Sequence, residues 1–282
     1  MNKNFIITAL MFFLFIQTSF PQDVSWKREE PQNKTALQLF HATHVVNLPT
    51  TETLQKGDLE FEIAHRFLPY IKEGSKALFG LDGPANIKFG LSYGITNFTI
   101  LGISRSSLND NYELIVKQRL VPLDNNFLPA VLAVRAGAAW NNDTPGRSYK
   151  HNRNFQYYGQ LIINALYGKR FGIGLVPTYV YNSYIFSPER ENSFTLGMYA
   201  QVYLTRMFSI MGEFNPVLDG LKEGHNSGAI GFELETGGHF FKIFMTNNEK
   251  LNTSQSAAGA IGSIDKGGEW RIGFNITRVL KF

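Results

Sequence analysis

The sequence predicts an all-β fold, a transmembrane antiparallel up-and-down β-barrel of about 12 strands preceded by a signal peptide. Three observations carry this. Apolar and polar residues alternate with period two through most of the 282 residues. Short and long connections between the alternating runs follow each other strictly, and aromatic residues collect at the ends of the runs. Composition agrees: 44% of residues are hydrophobic and only 18% charged, with 24 Phe, 12 Tyr, 3 Trp and 26 Gly, against about 25% charged residues in an ordinary soluble domain. The absence of Cys excludes a disulfide framework, a Cys-ligated metal or iron–sulfur centre and a thiol nucleophile. A net charge of +4 with no long Lys/Arg run points away from nucleic acid as a partner.

Taken in order, the chain opens with Met1-Asn2-Lys3-Asn4, an uncharged run from Phe5 to Ile16, and the polar Gln17-Thr18-Ser19. That is the pattern of a signal peptide over residues 1–20, cut between Ser19 and Gln22. The apolar run is too short to span a bilayer as a helix, which needs about 20 residues. Residues 21–56 are polar and Pro-interrupted apart from an apolar patch at Leu37 to Val46. They read as an N-terminal periplasmic extension or as a plug inside the barrel formed by residues 57–282.

After Gly57 the strand pattern begins. Leu59, Phe61, Ile63 and Phe67 share one parity, opposite Asp58, Glu60, Glu62 and Arg66. The same alternation recurs around Ile87–Tyr93, Tyr112–Leu120, Leu132–Trp140, Phe155–Tyr167, Phe171–Asn182, Phe194–Leu204, Phe208–Phe214, Ile230–Glu235 and Phe241–Met245. Phe98–Ser104 is strand-like without a clear phase. The final run places Trp270, Ile272, Phe274, Ile276, Leu280 and Phe282 on one face, broken only by Arg278.

Connections at Gly94–Asn97, Pro122–Asn126, Gly168–Arg170, Thr205–Arg206 and Thr236–Gly238 are short. Those at Leu68–Pro84, Arg105–Asn111, Asn141–Asn154, Ser183–Asn192, Asn215–Asn226 and Asn247–Gly267 are long. Short periplasmic turns alternating with long external loops characterise outer-membrane barrels, whereas a soluble β-sandwich or lipocalin-like barrel explains the alternation and leaves the loop asymmetry unexplained. Tyr93, Phe98, Tyr167, Phe171 and Phe208 flank the short turns. Trp140, Phe155, Tyr181, Phe194 and Trp270 sit near the long loops, as two interfacial girdles would.

The stretches ETLQKGDLEFEIAHRF (Glu52 to Phe67), LFGLDGPANIKFGLSYGIT (Leu78 to Thr96), SRSS (Ser104 to Ser107), ELIVKQRL (Glu113 to Leu120), FELETGGHFFKIFMTN (Phe232 to Asn247) and the closing RIGFNITRVLKF resemble a family of uncharacterised bacterial outer-membrane β-barrel proteins. The resemblance covers essentially everything after about Phe40. It implies the fold and a location in the outer membrane of a Gram-negative bacterium, in contact with its lipid and lipopolysaccharide, and it implies no catalytic residues. The terminal Phe282 also looks like the signal read by the barrel-assembly machinery.

The polar parity of the strands names the residues expected to line the lumen: Glu60, Glu62, Arg66, Lys88, Glu113, Lys117, Arg119, Arg135, Glu233, Lys242 and Arg271, with Asp58, Glu213, Glu235 and Lys281 on the same face. The signs nearly cancel, which fits an interior braced by ion pairs or a narrow, weakly selective pore rather than a one-sided charge filter. His41-x-x-His44 with His65 invites a metal reading, but rings three apart on a strand point to opposite faces, so no metal site, cofactor or catalytic group is expected. His225-Asn226-Ser227 is only loosely similar to the His-x-Ser pair of outer-membrane phospholipases, because Gly228-Ala229 follows where Asn-Gly would stand; it reads as a turn. Asp82-Gly83 is a turn signal and not a phosphate loop. The loop Gly146 to Arg153 carries Arg147, Lys150 and Arg153 with Tyr149; it reads first as a solvated loop and second as a surface that meets lipopolysaccharide phosphates. Thr253 to Ile264, small and weakly charged, is expected to hold no regular structure. The function expected is a passive channel or narrow porin for small polar solutes. The alternatives are a closed barrel acting structurally, in adhesion or in partner binding through its external loops, and a lipid hydrolase.

Overall fold

The computed structural model describes residues 38–123, 128–168 and 170–282. The expected signal peptide lies outside them. The strands are β1 (Leu59–Phe67), β2 (Ala85–Thr96), β3 (Thr99–Ser106), β4 (Asn111–Leu123), β5 (Ala130–Asn141), β6 (Phe155–Tyr167), β7 (Phe171–Tyr181), β8 (Asn192–Tyr203), β9 (Phe208–Asn215), β10 (Val217–Gly220), β11 (Ser227–Glu235), β12 (His239–Thr246) and β13 (Arg271–Leu280). Every pairing is antiparallel; it joins neighbours in the chain except at β10, which pairs with β8 and leaves β9 to pair with β11, and the ring closes where β1 pairs with β13, Ile63 opposite Ile276.

β10 is not an extra stave. Pro216 interrupts the strand that begins as β9, and the continuation pairs with the far end of β8, Val217 opposite Thr195, while β9 pairs with its near end, Phe214 opposite Met198. The Pro216 carbonyl still accepts from the Leu196 N–H at 3.1 Å, so the missing proline donor breaks the ladder locally without ending the pairing. The barrel is therefore 12 staves round, as the alternation predicts. Pro177 is likewise accommodated within β7, opposite Leu196. The run of unclear phase, Phe98–Ser104, falls in β3 and pairs with β2 and β4.

The alternation resolves into two faces. Phe89, Leu91, Ile103, Leu114, Ile173, Leu175, Ile230, Phe232 and Ile243 are all exposed, which in water would be an aggregation surface and in lipid is the required one. Glu60, Arg66, Glu113, Lys117, Glu233 and Lys242, on the opposite parity, are buried. Inversion of the soluble rule, apolar out and charged in, places the strands in a membrane.

A ring of this width is not filled by its own side chains, since about eight strands is the size at which they suffice. Two further pieces of chain fill it. Residues 38–56 enter at the short-turn end, where Thr53 donates to the Asn97 carbonyl and the Lys56 N–H to Asn97 Oδ1, and double back through a tight turn closed by Val45 N–H to Leu48 O and a His44–Pro49 bridge. From the opposite end the β12–β13 connection folds inward: residues 247–260 are buried throughout. Composition misread this loop. Small, weakly charged residues at Thr253 to Ile264 predict no regular structure, yet Thr253–Ser256 form a helical turn and the small residues are what lets the loop pack inside.

The strand glycines accommodate the plug. A Cβ on Gly172 would lie 2.8 Å from the Phe40 ring, and one on Gly197 would lie 2.7 Å from Leu48. Gly172→Val should therefore displace the N-terminal segment at a cost of about 1–3 kcal/mol while the barrel still forms. Faster protease cleavage within residues 38–56 of a protein that keeps its heat-resistant, folded mobility in electrophoresis is the expected result.

Candidate functional site: the doubly closed lumen

Sequence parity places eleven charged residues in the lumen, and the structure puts all of them inside. They do not face an open water path. Glu62 pairs with Lys88 at 2.8 Å, Glu233 with Lys242 at 3.3 Å, and Glu113 with Arg135 at 3.8 Å across the strands. Arg271 meets Glu249 of the inward loop at 3.5 Å, and Arg119 meets Glu52 of the N-terminal segment at 3.7 Å. Arg66 donates to Asn275 Oδ1 at 2.8 Å and to Asn47 Oδ1 of the plug at 3.0 Å, with its guanidinium over the Phe244 ring. Of the other residues on this parity, Glu235 is half-buried and Lys281 exposed at the rim.

The plug is held chiefly by its backbone. Glu213, on β9, accepts from the N–H groups of Val46, Asn47 and Leu48 at 3.0–3.2 Å. Lys117, on β4, donates to the carbonyls of Thr43 and Thr50, both at 3.2 Å, and Lys242, on β12, to the carbonyl of His44. Asn275 donates to the Val46 carbonyl, Tyr199 to the Pro49 carbonyl, and the Thr51 N–H to Asn164 Oδ1. A turn that makes no strand pairing thus finds partners for its polar groups on six staves. Each bond to a charged group contributes about 1.5–3 kcal/mol in such a setting, and each group would be costly if left unmet.

One side of the plug is apolar. Leu39, Phe40, Val45, Val46 and Leu48 form a buried cluster with Val131, Ala133, Ile162, Val176, Tyr199, Met211, Ala229 and Phe244; the Phe40 ring meets Tyr199 edge-on at 5.5 Å. Among the described residues, β1 to β4 and β13 contribute nothing to this cluster. Burial of five plug side chains at about 1.5–3 kcal/mol each makes spontaneous withdrawal rare. This could have been read in the sequence, because the inward parity of β5 and β7 (Val131, Ala133, Gly172, Gly174, Val176) is small and apolar where a watery pore would be polar.

The inward loop is bonded as densely. Asn252 donates to Asn111 Oδ1 at 2.6 Å and Ser104 to Asn252 Oδ1 at 2.9 Å, Arg135 donates to Thr253 Oγ1 at 2.8 Å, and Glu113 accepts from the Ser254 N–H at 3.0 Å. Its outer edge is tied to the β10–β11 connection by the His225–Ala260 bridge and by Lys250 to Glu223 at 2.6 Å. His225 and Ser227 therefore sit in loop anchorage: His225 shares that bridge, Ser227 is buried at the start of β11 pairing with Asn215, and no hydrogen bond joins the two side chains among the described residues.

His41 and His44 both point at the wall, His41 Nδ1 3.5 Å from Glu233 and His44 Nε2 3.4 Å from Glu62. His65 faces outward, stacked on Phe274. Among the described residues no group of three or more His, Asp or Glu is placed to hold a metal ion. Burial, reinforced by Lys242, Lys88 and Lys117, holds His44 well below the usual imidazole range, and Glu62 only partly opposes this. Burial pushes the Glu52 carboxyl up against the opposing pull of Arg119 and the Leu39 and Phe40 N–H groups. Between the plug and the loop lies a polar chamber of about 70 Å³ whose walls include Glu60 and Glu62 of β1, Lys88 of β2, Glu113 and Lys117 of β4, Arg135 of β5, and His44.

Residues 40–280 match the family described as Membrane bound beta barrel domain (DUF5777). The chain belongs to that family. The match starts within the plug and runs to the end of β13, so this membrane-barrel domain includes its own closure. No functionally curated protein matches the sequence. Among solved structures, the fold is similar to an outer membrane channel from Pseudomonas putida F1, at 10% identity over 82% of this chain and 98% of that one with a TM-score of 0.50. The NanC porin (9% identity, 79% and 100% covered, TM-score 0.48) and Omp33, an outer membrane protein of Acinetobacter baumannii (10%, 80% and 99%, 0.41), share the barrel more loosely. At these identities the likeness concerns fold alone.

Two outcomes follow for the plug. Glu213→Gln removes a charged acceptor from three amides and should weaken docking by about 1.5–3 kcal/mol, read as faster hydrogen exchange at Val46, Asn47 and Leu48. Because docked His44 resists protonation while released His44 titrates near its ordinary value of about 6.5, docking should weaken as pH falls below about 6.5 and be unaffected above it. The difference in exchange protection between wild type and His44→Gln, followed from pH 7.5 to 5.5, isolates that term; a constant difference would show that His44 does not titrate on release.

Proposed function

We propose that this membrane barrel is a resting-closed channel of the outer membrane of a Gram-negative bacterium, admitting small polar solutes when its N-terminal plug and inward loop move. The observation that carries the reading is the way the lumen charges are used. Lys117, Lys242 and Glu213 bind backbone atoms of a separable segment, so its departure would leave a wall carrying both signs of charge and many donors and acceptors, the lining of a weakly selective polar pathway. A barrel meant only as a closed pillar could be filled by an apolar closing segment against an apolar wall, which costs less than desolvating this many charges. Among the described residues the lumen carboxylates and ammonium groups are engaged with one another and with the backbone of the closing segments, which favours transport over catalysis.

The apolar half of the plug supports the second reading, a permanently closed barrel working through its external loops, because withdrawal would expose Val131, Ile162, Val176 and Phe244 to water. Planar-bilayer conductance separates the two. The full chain should be silent or open rarely. Removal of residues 38–56 together with shortening of 249–260 should give stable steps, with either change alone giving smaller or intermittent ones. Silence of the doubly altered but folded barrel would leave the closed-barrel reading.

A further inference from the structure

The chamber between plug and loop has a hydrogen-bond imbalance that assigns it a ligand. Thr43 Oγ1 has one hydrogen, and it lies 2.9 Å from both oxygens of Glu60, which can only accept. His44 Nδ1, 3.2 Å from the same hydroxyl, must then be the donor in that contact. In the neutral ring this leaves Nε2 with a lone pair. Nε2 faces Glu62 Oε1, another acceptor, at 3.4 Å, and both atoms are buried without a hydrogen-bond partner. Two lone pairs confronting each other in a buried site require a donor between or beside them.

Donors for an anion stand across the chamber. Lys117 has three hydrogens and directs two of them to the Thr43 and Thr50 carbonyls. Lys88 engages Glu62 through its other oxygen at 2.8 Å, leaving further hydrogens of its own. The formal charges on the wall cancel, three carboxylates (Glu60, Glu62, Glu113) against Lys88, Lys117 and Arg135, so the occupant that preserves neutrality carries no net charge. At about 10–15 Å³ of such space per water molecule, 70 Å³ holds about five to seven water-sized groups.

We propose that the chamber is a binding site for a small zwitterion, with its ammonium group beside the His44 Nε2–Glu62 Oε1 contact, donating to both, and its carboxylate towards Lys117 and Lys88. Glycine, with five non-hydrogen atoms, is the probe of matching size and charge. The assignment rests on the channel reading, naming the class of solute held midway along the path, but its test is independent of conductance.

The full-length protein is refolded in the presence of radiolabelled glycine, methylammonium or acetate and examined by equilibrium dialysis, which removes any dependence on entry through the closed plug. Expected is retention of about one glycine per chain, with methylammonium and acetate each bound at least about tenfold more weakly. Glu62→Gln should lower glycine affinity by about tenfold or more, and His44→Phe, a change in the plug that leaves every stave intact, should abolish it by occupying the chamber. No retention of glycine by the folded wild type, meaning that the chamber holds water alone, would overturn the assignment. So would acetate or methylammonium binding as well as glycine, or glycine binding that both variants leave unchanged. If glycine binds as expected and the plug-deleted, loop-shortened barrel does not conduct, the site stands and the channel reading falls.

Discussion

The width of the ring is the constraint on which the rest of the molecule depends. Twelve staves enclose more space than inward side chains can fill, and in lipid the apolar residues must face outward, so the interior is left with charge and space. Ion pairs across the wall, such as Glu62–Lys88 and Glu233–Lys242, neutralise part of it. The remainder is satisfied by bringing in backbone, whose N–H and C=O groups can meet either sign. That is why Glu213 collects three amides and Lys117 two carbonyls.

Each closing segment is matched to its half of the lumen. The N-terminal turn is apolar on one side and polar on the other, and it sits against a wall divided in the same way, with the apolar contacts confined to β5–β9, β11 and β12. The β12–β13 loop is almost wholly polar or small and meets Asn111, Glu113, Arg135 and Gln156. Differential anchoring follows. The plug is retained both by the bonds to its backbone and by burial of Phe40, Val45 and Leu48, which salt does not screen, whereas the loop depends on directional hydrogen bonds and on the Lys250–Glu223 pair at its outer edge. Movement at the external end is therefore the less costly of the two.

Strand number and, apart from the strand at Phe98–Ser104 whose phase was unclear, the inward parity were legible in the sequence because period two is imposed by the backbone. The β9–β10 break at Pro216 was masked by the polar loop composition that follows it. The apolar patch at Leu37 to Val46 in a polar extension is compatible with either a periplasmic extension or a plug; its described part, residues 38–46, packs inside the ring. The inward loop did not, because residues such as Ser254, Ala258 and Ala260 look alike whether they face water or fill a lumen; only contact with Asn111 and Glu113 distinguishes the two. The roles of His41 and His44 escaped for a related reason. Their opposite pointing was argued from strand geometry, while the segment is a tight turn that brings both rings to the wall.

The central claim is that this family member's lumen is closed from both ends by its own chain. Since the protein contains no Cys, a single introduced thiol reports accessibility without background. Thr51→Cys in the plug and Ser254→Cys in the loop are near-isosteric changes at positions with 0% exposure. Labelling of each folded variant with a small membrane-impermeant thiol reagent, applied to both faces, is the direct measurement. The account predicts that both thiols stay unreacted until the protein is denatured. Rapid labelling of either one in the folded barrel would contradict it.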